Sequence, residues 1–224
     1  MNASEGTFVV VDPTEMRPDA FHSLFAKVKE TGARLLLYGR LTSQFAAQVA
    51  WASSAMRVET AIASEQGRRN LLRLLRDPRA TASMHAIVLH RIADHIRRTH
   101  ACLLTAFVGL FAGLPVPARS CDLLQQMNMS AARTHRCLLH AGLAPLPLML
   151  CGIRLCHSWP SLCDRSLTLE AIAEKYGFGA VRTLHDNCVR FTGVTPGRVH
   201  RVLDNEEFAS RVLRVLQPHT AQLN

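Results

Sequence analysis

Lysine is nearly missing from this chain: Lys27, Lys29 and Lys175 are its only members among 26 basic residues, so the cations are almost all arginine. Arginine carries a planar fork of donors that suits guanine edges and phosphate, although a biased genome gives the same enrichment. Charged residues make up 19% of the 224 positions and hydrophobic ones 48%, the balance of a folded chain rather than a disordered one. There is no Gly-rich phosphate loop and no paired-carboxylate site, which leaves an enzymatic reading without a centre to attach to. No apolar run reaches the roughly 20 residues that span a bilayer. The stretch Ala101 to Leu114 stops short of that and reads as a buried helix. The start, MNASEGTFVVVDP, lacks the basic n-region and the apolar length of a secretory signal.

Seven cysteines occur, an odd number, and reduced thiols in the cytoplasm are the expectation. Cys137, Cys151 and Cys188 fall on apolar helix faces, where cysteine serves as a small buried hydrophobe. Cys151, Cys156, His157 and Cys163 lie near one another, but no paired Cys-x-x-Cys frames them, so neither a metal nor another cofactor is expected. His85, His90, His95 and His100 recur every fifth position. That step turns about 140° around a helix and scatters them over its surface.

What the chain does have is positive charge, +9 overall with a pI near 9.8, which favours a polyanionic partner. The charge is spread out. From Val116 to Asp204 ten Lys or Arg face six Asp or Glu, a local +4, so any basic face must come from placement.

The front half alternates strand and helix patterns: strands at Phe8 to Val11, Arg34 to Tyr38 and Val58 to Ala63, helices at Ala20 to Val28, Leu41 to Met56 and Gln66 to Leu75. Such alternation predicts a small parallel sheet with helical crossovers. The order resembles a reduced receiver domain of the two-component type, over 1–79. The receiver's chemistry does not follow, because only Asp12 stands after the first strand, Ala63 ends the third, and no lysine lies between Lys29 and Lys175. Phosphorylation is therefore not expected. Residues 80–115 read as a helical connector with a polar front (His85, Arg91, Asp94, Arg97, Arg98) and an apolar back that needs a partner.

The most specific stretch is Leu167 to Leu203, LTLEAIAEKYGFGAVRTLHDNCVRFTGVTPGRVHRVL. Leu169, Ile172, Ala173 and Tyr176 recur at helical intervals, and Gly177 stands where a left-handed residue must end that helix. Val181, Leu184 and Cys188 form the inner face of a second helix, with Arg182, His185, Asp186, Val189 and Arg190 more outward. Thr195-Pro196 then opens a third, with Thr195 as N-cap. A second copy fits Cys121 to Pro145. There Leu123, Leu124 and Met127 face inward, Asn128 takes the turn and Ser130 caps a helix. Thr134 and Leu138 are its inner residues, and Arg133, Arg136 and His140 its outer ones. Leu148 to Ser158 would link the two copies.

Together these motifs resemble the two-unit DNA-binding domain of the AraC/XylS family of bacterial transcription regulators, over 116–204, with units of about 116–147 and 164–204 and a C-terminal helix or tail at 205–224. This resemblance implies an all-α C-terminal domain of two helix-turn-helix units joined by a linking helix, which with the front half gives the expected fold of two parts: an α/β receiver-like N-terminal domain, then the all-α C-terminal domain. It implies a sequence-specific regulator; no enzymatic activity is expected, because the chain holds no Pro-Cys-His nucleophile context, Gly-rich phosphate loop or paired-carboxylate site. The expected DNA-binding residues are Arg133, Arg136 and His140 in the first unit and Arg182, His185, Asp186 and Arg190 in the second. Double-stranded DNA is the expected partner, with no membrane role. RNA polymerase and a second copy of the chain, joined through the N-terminal domain or connector, are candidate further partners. Asp186 stands where the family commonly has Arg, and an acid near phosphate is repelled. It motivates the alternative of a signalling protein whose units serve as a docking surface. Against that, Asp accepts from cytosine N4 and can pair with Arg182 and Arg190, four residues to either side.

Overall fold

Two stretches of the chain collapse around separate cores, Met1–Leu114 and Pro115–Asn224, in a computed structural model that describes residues 7–76, 83–164 and 166–217. The first unit holds strands β1 (Phe8–Val11), β2 (Arg34–Gly39) and β3 (Glu59–Ile62) and helices α1 (Pro18–Thr31), α2 (Ser43–Ala55), α3 (Glu65–Arg76), α4 (Met84–Arg97) and α5 (Ala101–Phe111). The second holds α6 (Ser120–Gln126), α7 (Ala131–His140), α8 (Leu146–Cys163), α9 (Leu169–Lys175), α10 (Val181–Thr192), α11 (Pro196–Val202) and α12 (Asn205–Leu216). No helix among the described residues is long and apolar enough to cross a membrane.

Each front element forms for a local reason. Pro18 at the first turn of α1 sacrifices an N–H that has no helical partner anyway. Phe21, Phe25 and Val28 then fall on one buried face, and both phenylalanines meet Trp51 of α2, at 5.8 and 4.8 Å between centroids. Gly32, at φ +67°, ends the helix. Thr42 caps α2 by accepting from the Phe45 N–H. The three strands are parallel, and the apolar run Leu35-Leu36-Leu37 of β2 is at most 1% exposed, as a strand covered on both faces must be.

The sheet order is β1-β2-β3, with β2 in the middle. Doubly wound sheets of the receiver type place β1 between β2 and β3. The receiver-like expectation is corrected on this point: the alternation of elements is right, the winding is not. Asp12 at the end of β1 accepts from both the N–H and the hydroxyl of Thr14, so it closes a short 3-10 turn, Pro13–Glu15.

The helical connector is corrected as well. It is two helices, and both pack on α2 inside the first unit. The buried carboxylate of Glu59 explains the attachment. It accepts from the Ser83 N–H at 2.8 Å and the Ser83 hydroxyl at 2.6 Å, and it pairs with Arg34 at 3.3 Å. Ser83 is also the N-cap of α4. One carboxylate thus joins two strands to the start of that helix, and a hydrogen bond between the ring Nδ1 of His90 and the Ser53 carbonyl (2.6 Å) ties its flank to α2. The apolar back of the connector is covered from within: Ile87, Leu89, Ile92, Ile96, Phe107 and Phe111 are all buried.

Removing the Glu59 side chain would take away the acceptor of the Ser83 N–H and hydroxyl at a buried carboxylate, together with its ion pair to Arg34. Glu59→Ala should therefore destabilise the first unit by about 2–4 kcal/mol, measured by urea unfolding of the full chain. A loss below about 0.5 kcal/mol, the range of an ordinary surface change, would contradict this.

Candidate nucleic-acid interface

The second unit contains two helical hairpins, α6–α7 and α9–α10, whose turns begin with the same three hydrogen bonds. In the first turn Met127 N–H donates to Leu123, Asn128 to Gln125 and Met129 to Leu124. Shifted by 49 positions, Tyr176 donates to Ile172, Gly177 to Glu174 and Phe178 to Ala173. Asn128 has φ +49° and Gly177 φ +68°, so both turns pass through the left-handed region at the same place. Asn128 is the only non-glycine residue with positive φ among the described residues, and its short amide side chain makes it the best substitute for glycine there. The second turn is one residue longer, the extra residue being Gly179 at φ +76°.

Beyond the turns the helices match with a shift of 50. Thr134 and Leu138 of α7 are buried, as are Leu184 and Cys188 of α10. Ser130 caps α7 by accepting from the Arg133 N–H at 3.3 Å. At the far ends Pro145 and Thr195 occupy the N-cap positions of α8 and α11. The Thr195 hydroxyl makes no capping bond, so Thr195 has the expected position without the expected contact.

The outward faces carry the residues singled out by sequence. Arg133, Arg136 and His140 are all exposed on α7, spaced by three and four residues and hence on one stripe. Neither arginine engages a carboxylate among the described residues. Arg182, His185, Asp186 and Arg190 are all exposed on α10. Asp186 lies 3.9 Å from Arg182 and 3.5 Å from the ring Nδ1 of His185. The expected pairing with Arg190 does not form; His185 takes that place. With Arg182 at 93% side-chain exposure, the pair adds little to stability. It does cancel charge on α10, where the shift of 50 sets Thr183 and Asp186 opposite Arg133 and Arg136 of α7. Leu139 and Val189, also equivalent by the shift of 50, are exposed at 51% and 38%.

The linking helix is longer than the apolar stretch suggested and buried nearly all round, from Leu146 to Leu162. Pro147 lies in its first turn, as expected. Cys156 and Cys188 are fully buried, and burial pushes their thiols up to about 12 and about 11. They stay protonated at neutral pH and act as small apolar side chains. No three described His, Cys, Asp or Glu side chains gather closely enough to hold a metal ion.

Sequence reasoning missed Arg154, in the middle of α8 and only 7% exposed, which donates to the Pro117 carbonyl at 2.7 Å. The C-terminal helix or tail expected at 205–224 is a helix over Asn205–Leu216, α12, whose Phe208, Ala209, Val212, Leu213 and Leu216 are buried. Their spacing of three and four marks that face in the sequence. Phe208 stacks on Trp159 at 4.1 Å, Arg211 donates to the Thr192 carbonyl at the end of α10, and the Ala144 N–H donates to Leu216. Gly152 of α8 is small because a Cβ there would come within 2.7 Å of Leu216 and 3.0 Å of Phe191.

The turn geometry is testable. Asn128→Val puts a β-branched side chain at positive φ and should cost about 1–2 kcal/mol, whereas Asn128→Gly should be neutral or slightly stabilising. Thermal melts of both variants read this directly, and equal melting temperatures would contradict the left-handed turn.

Set against family models, curated proteins and solved structures, the chain matches none of them.

Proposed function

We propose that this protein is a sequence-specific DNA-binding transcription regulator of the AraC/XylS kind, its two hairpins acting as helix-turn-helix units that present α7 and α10 to the major groove. One observation carries the reading: the turn of the second hairpin repeats three hydrogen bonds and the left-handed residue of the first, its second helix buries the equivalent positions, and each hairpin leaves an exposed helix bearing arginine and histidine. A generic helical pair has no need of such a repeat. Two reading helices on one rigid body do, because they must meet successive segments of one duplex about one turn apart. Arg133 and Arg136 are free to reach guanine or phosphate, and the start of each helix offers backbone N–H groups to phosphate. The chain has no enzymatic role in this reading.

The competing reading is a protein-docking surface. It is favoured by Asp186, which cancels charge on α10, and by the exposed apolar pair Leu139 and Val189. Selection of bound fragments from a random duplex pool separates the two. A regulator enriches a defined sequence and binds it with steep salt dependence, while a docking protein enriches nothing.

Asp186 supplies a sharper test. Asp186→Arg replaces an acid with a base and releases Arg182 and His185 from their partner. Binding to random duplex should tighten, with a salt slope steeper by about one for each phosphate contact added. If Asp186 reads a cytosine, the same change weakens the selected site while random DNA still binds more tightly. Affinity and slope unchanged on every duplex would place α10 away from DNA and favour docking.

A further inference from the structure

Arg154 is charged, buried and short of partners. Its Nε has no hydrogen-bond partner, and no carboxylate pairs with it among the described residues. Burial lowers its pKa from the ordinary guanidinium value. Leaving a cation in such a place is costly, and an apolar side chain of similar volume would pack there at less cost. The position therefore asks for a reason beyond stability.

Its contacts supply one. From the middle of α8 the side chain reaches in two directions. Nη2 donates to the carbonyl of Pro117, in the segment that leads into α6 and the first hairpin. The guanidinium also lies over the ring of Phe178, 5.7 Å from its centroid, and beside Gly177, where a Cβ would sit 3.9 Å from Nε. Both residues belong to the turn between α9 and α10, which aims the second hairpin. One side chain thus touches the entrance of the first hairpin and the turn of the second. A hydrogen bond fixes distance and direction where apolar packing tolerates sliding, and the planar fork is stiff compared with a lysine stem.

We propose that Arg154 is a positioning residue that sets the spacing of α7 and α10, and so the distance between the two DNA segments the protein reads. The inference rests on the DNA-binding function proposed above and adds to it the element that fixes half-site separation. A residue that only stabilised the fold would change affinity for every duplex alike. A residue that sets spacing changes which spacing is preferred.

The experiment uses the full chain and the duplex that the wild type selects from a random pool, together with versions carrying one or two base pairs inserted between, or deleted from, its two halves. Arg154→Lys keeps the charge and loses the fork; Arg154→Met keeps the length and loses both. The wild type should bind the altered spacings at least about tenfold more weakly than the selected one, as when contacts of one half-site are lost. Each folded variant should bind the selected spacing less tightly, with the penalty for altered spacing reduced to within about twofold. Binding to a single half should be unchanged. If Arg154→Met does not fold, Arg154→Lys decides. Variants that keep the wild-type spacing penalty overturn the inference while leaving the DNA reading intact, and failure of both variants to fold assigns Arg154 to stability and overturns it too. A wild type that selects no duplex removes the DNA reading itself, and the inference with it.

Discussion

Everything in the second unit hangs on α8 being enclosed. Twelve of its side chains or glycine positions between Leu146 and Leu162 are buried, so it is a post enclosed over most of its surface rather than a surface helix with one wet face. The other six helices of the unit each pack on it. Two hairpins attached to one stiff post keep a constant separation, and constant separation is what two-segment recognition of a duplex requires. The apolar character that makes α8 look unlike an ordinary linker is the cause of that rigidity. α12 extends the same logic: it seals the Trp159 side of the post and binds the end of α10 through Arg211.

What could be read from sequence was whatever depends on neighbours along the chain. Positive φ at Asn128 and Gly177, the Ser130 cap, the inward Thr134, Leu138, Leu184 and Cys188, and all three strands follow from turn chemistry and periodicity, which act over a few residues. The exposure of Arg133, Arg136, His140, Arg182, His185, Asp186 and Arg190 follows from the same periodicity. What could not be read depends on pairs far apart in the chain. Which strand stands in the middle of the sheet is a matter of tertiary winding, so the receiver-like order did not survive. The connector joins the first unit because Glu59 meets Ser83, 24 residues on, and no pattern announces such a meeting. Arg154 looked like one basic residue among many until its burial and its bond to Pro117 were visible.

The outward faces of α7 and α10 are alike in frame and unlike in charge. α7 offers two arginines unopposed by acid; α10 offers two, one of them held by Asp186, beside a histidine that also faces that carboxylate. In the DNA-binding account this asymmetry divides the work, with α7 contributing more of the sequence-independent attraction and α10 more of the discrimination. A modest net charge in this half is then enough, because selectivity comes from where the arginines stand rather than from their number.

The central claim is that two equivalent helices on one rigid post grip two successive segments of a single duplex. Hydroxyl-radical footprinting of the full chain on its selected duplex tests this most directly. Two protected stretches are expected on one face of the DNA, with centres about one helical turn apart, near 10 base pairs. A single protected stretch, or protection that follows no face, would contradict it.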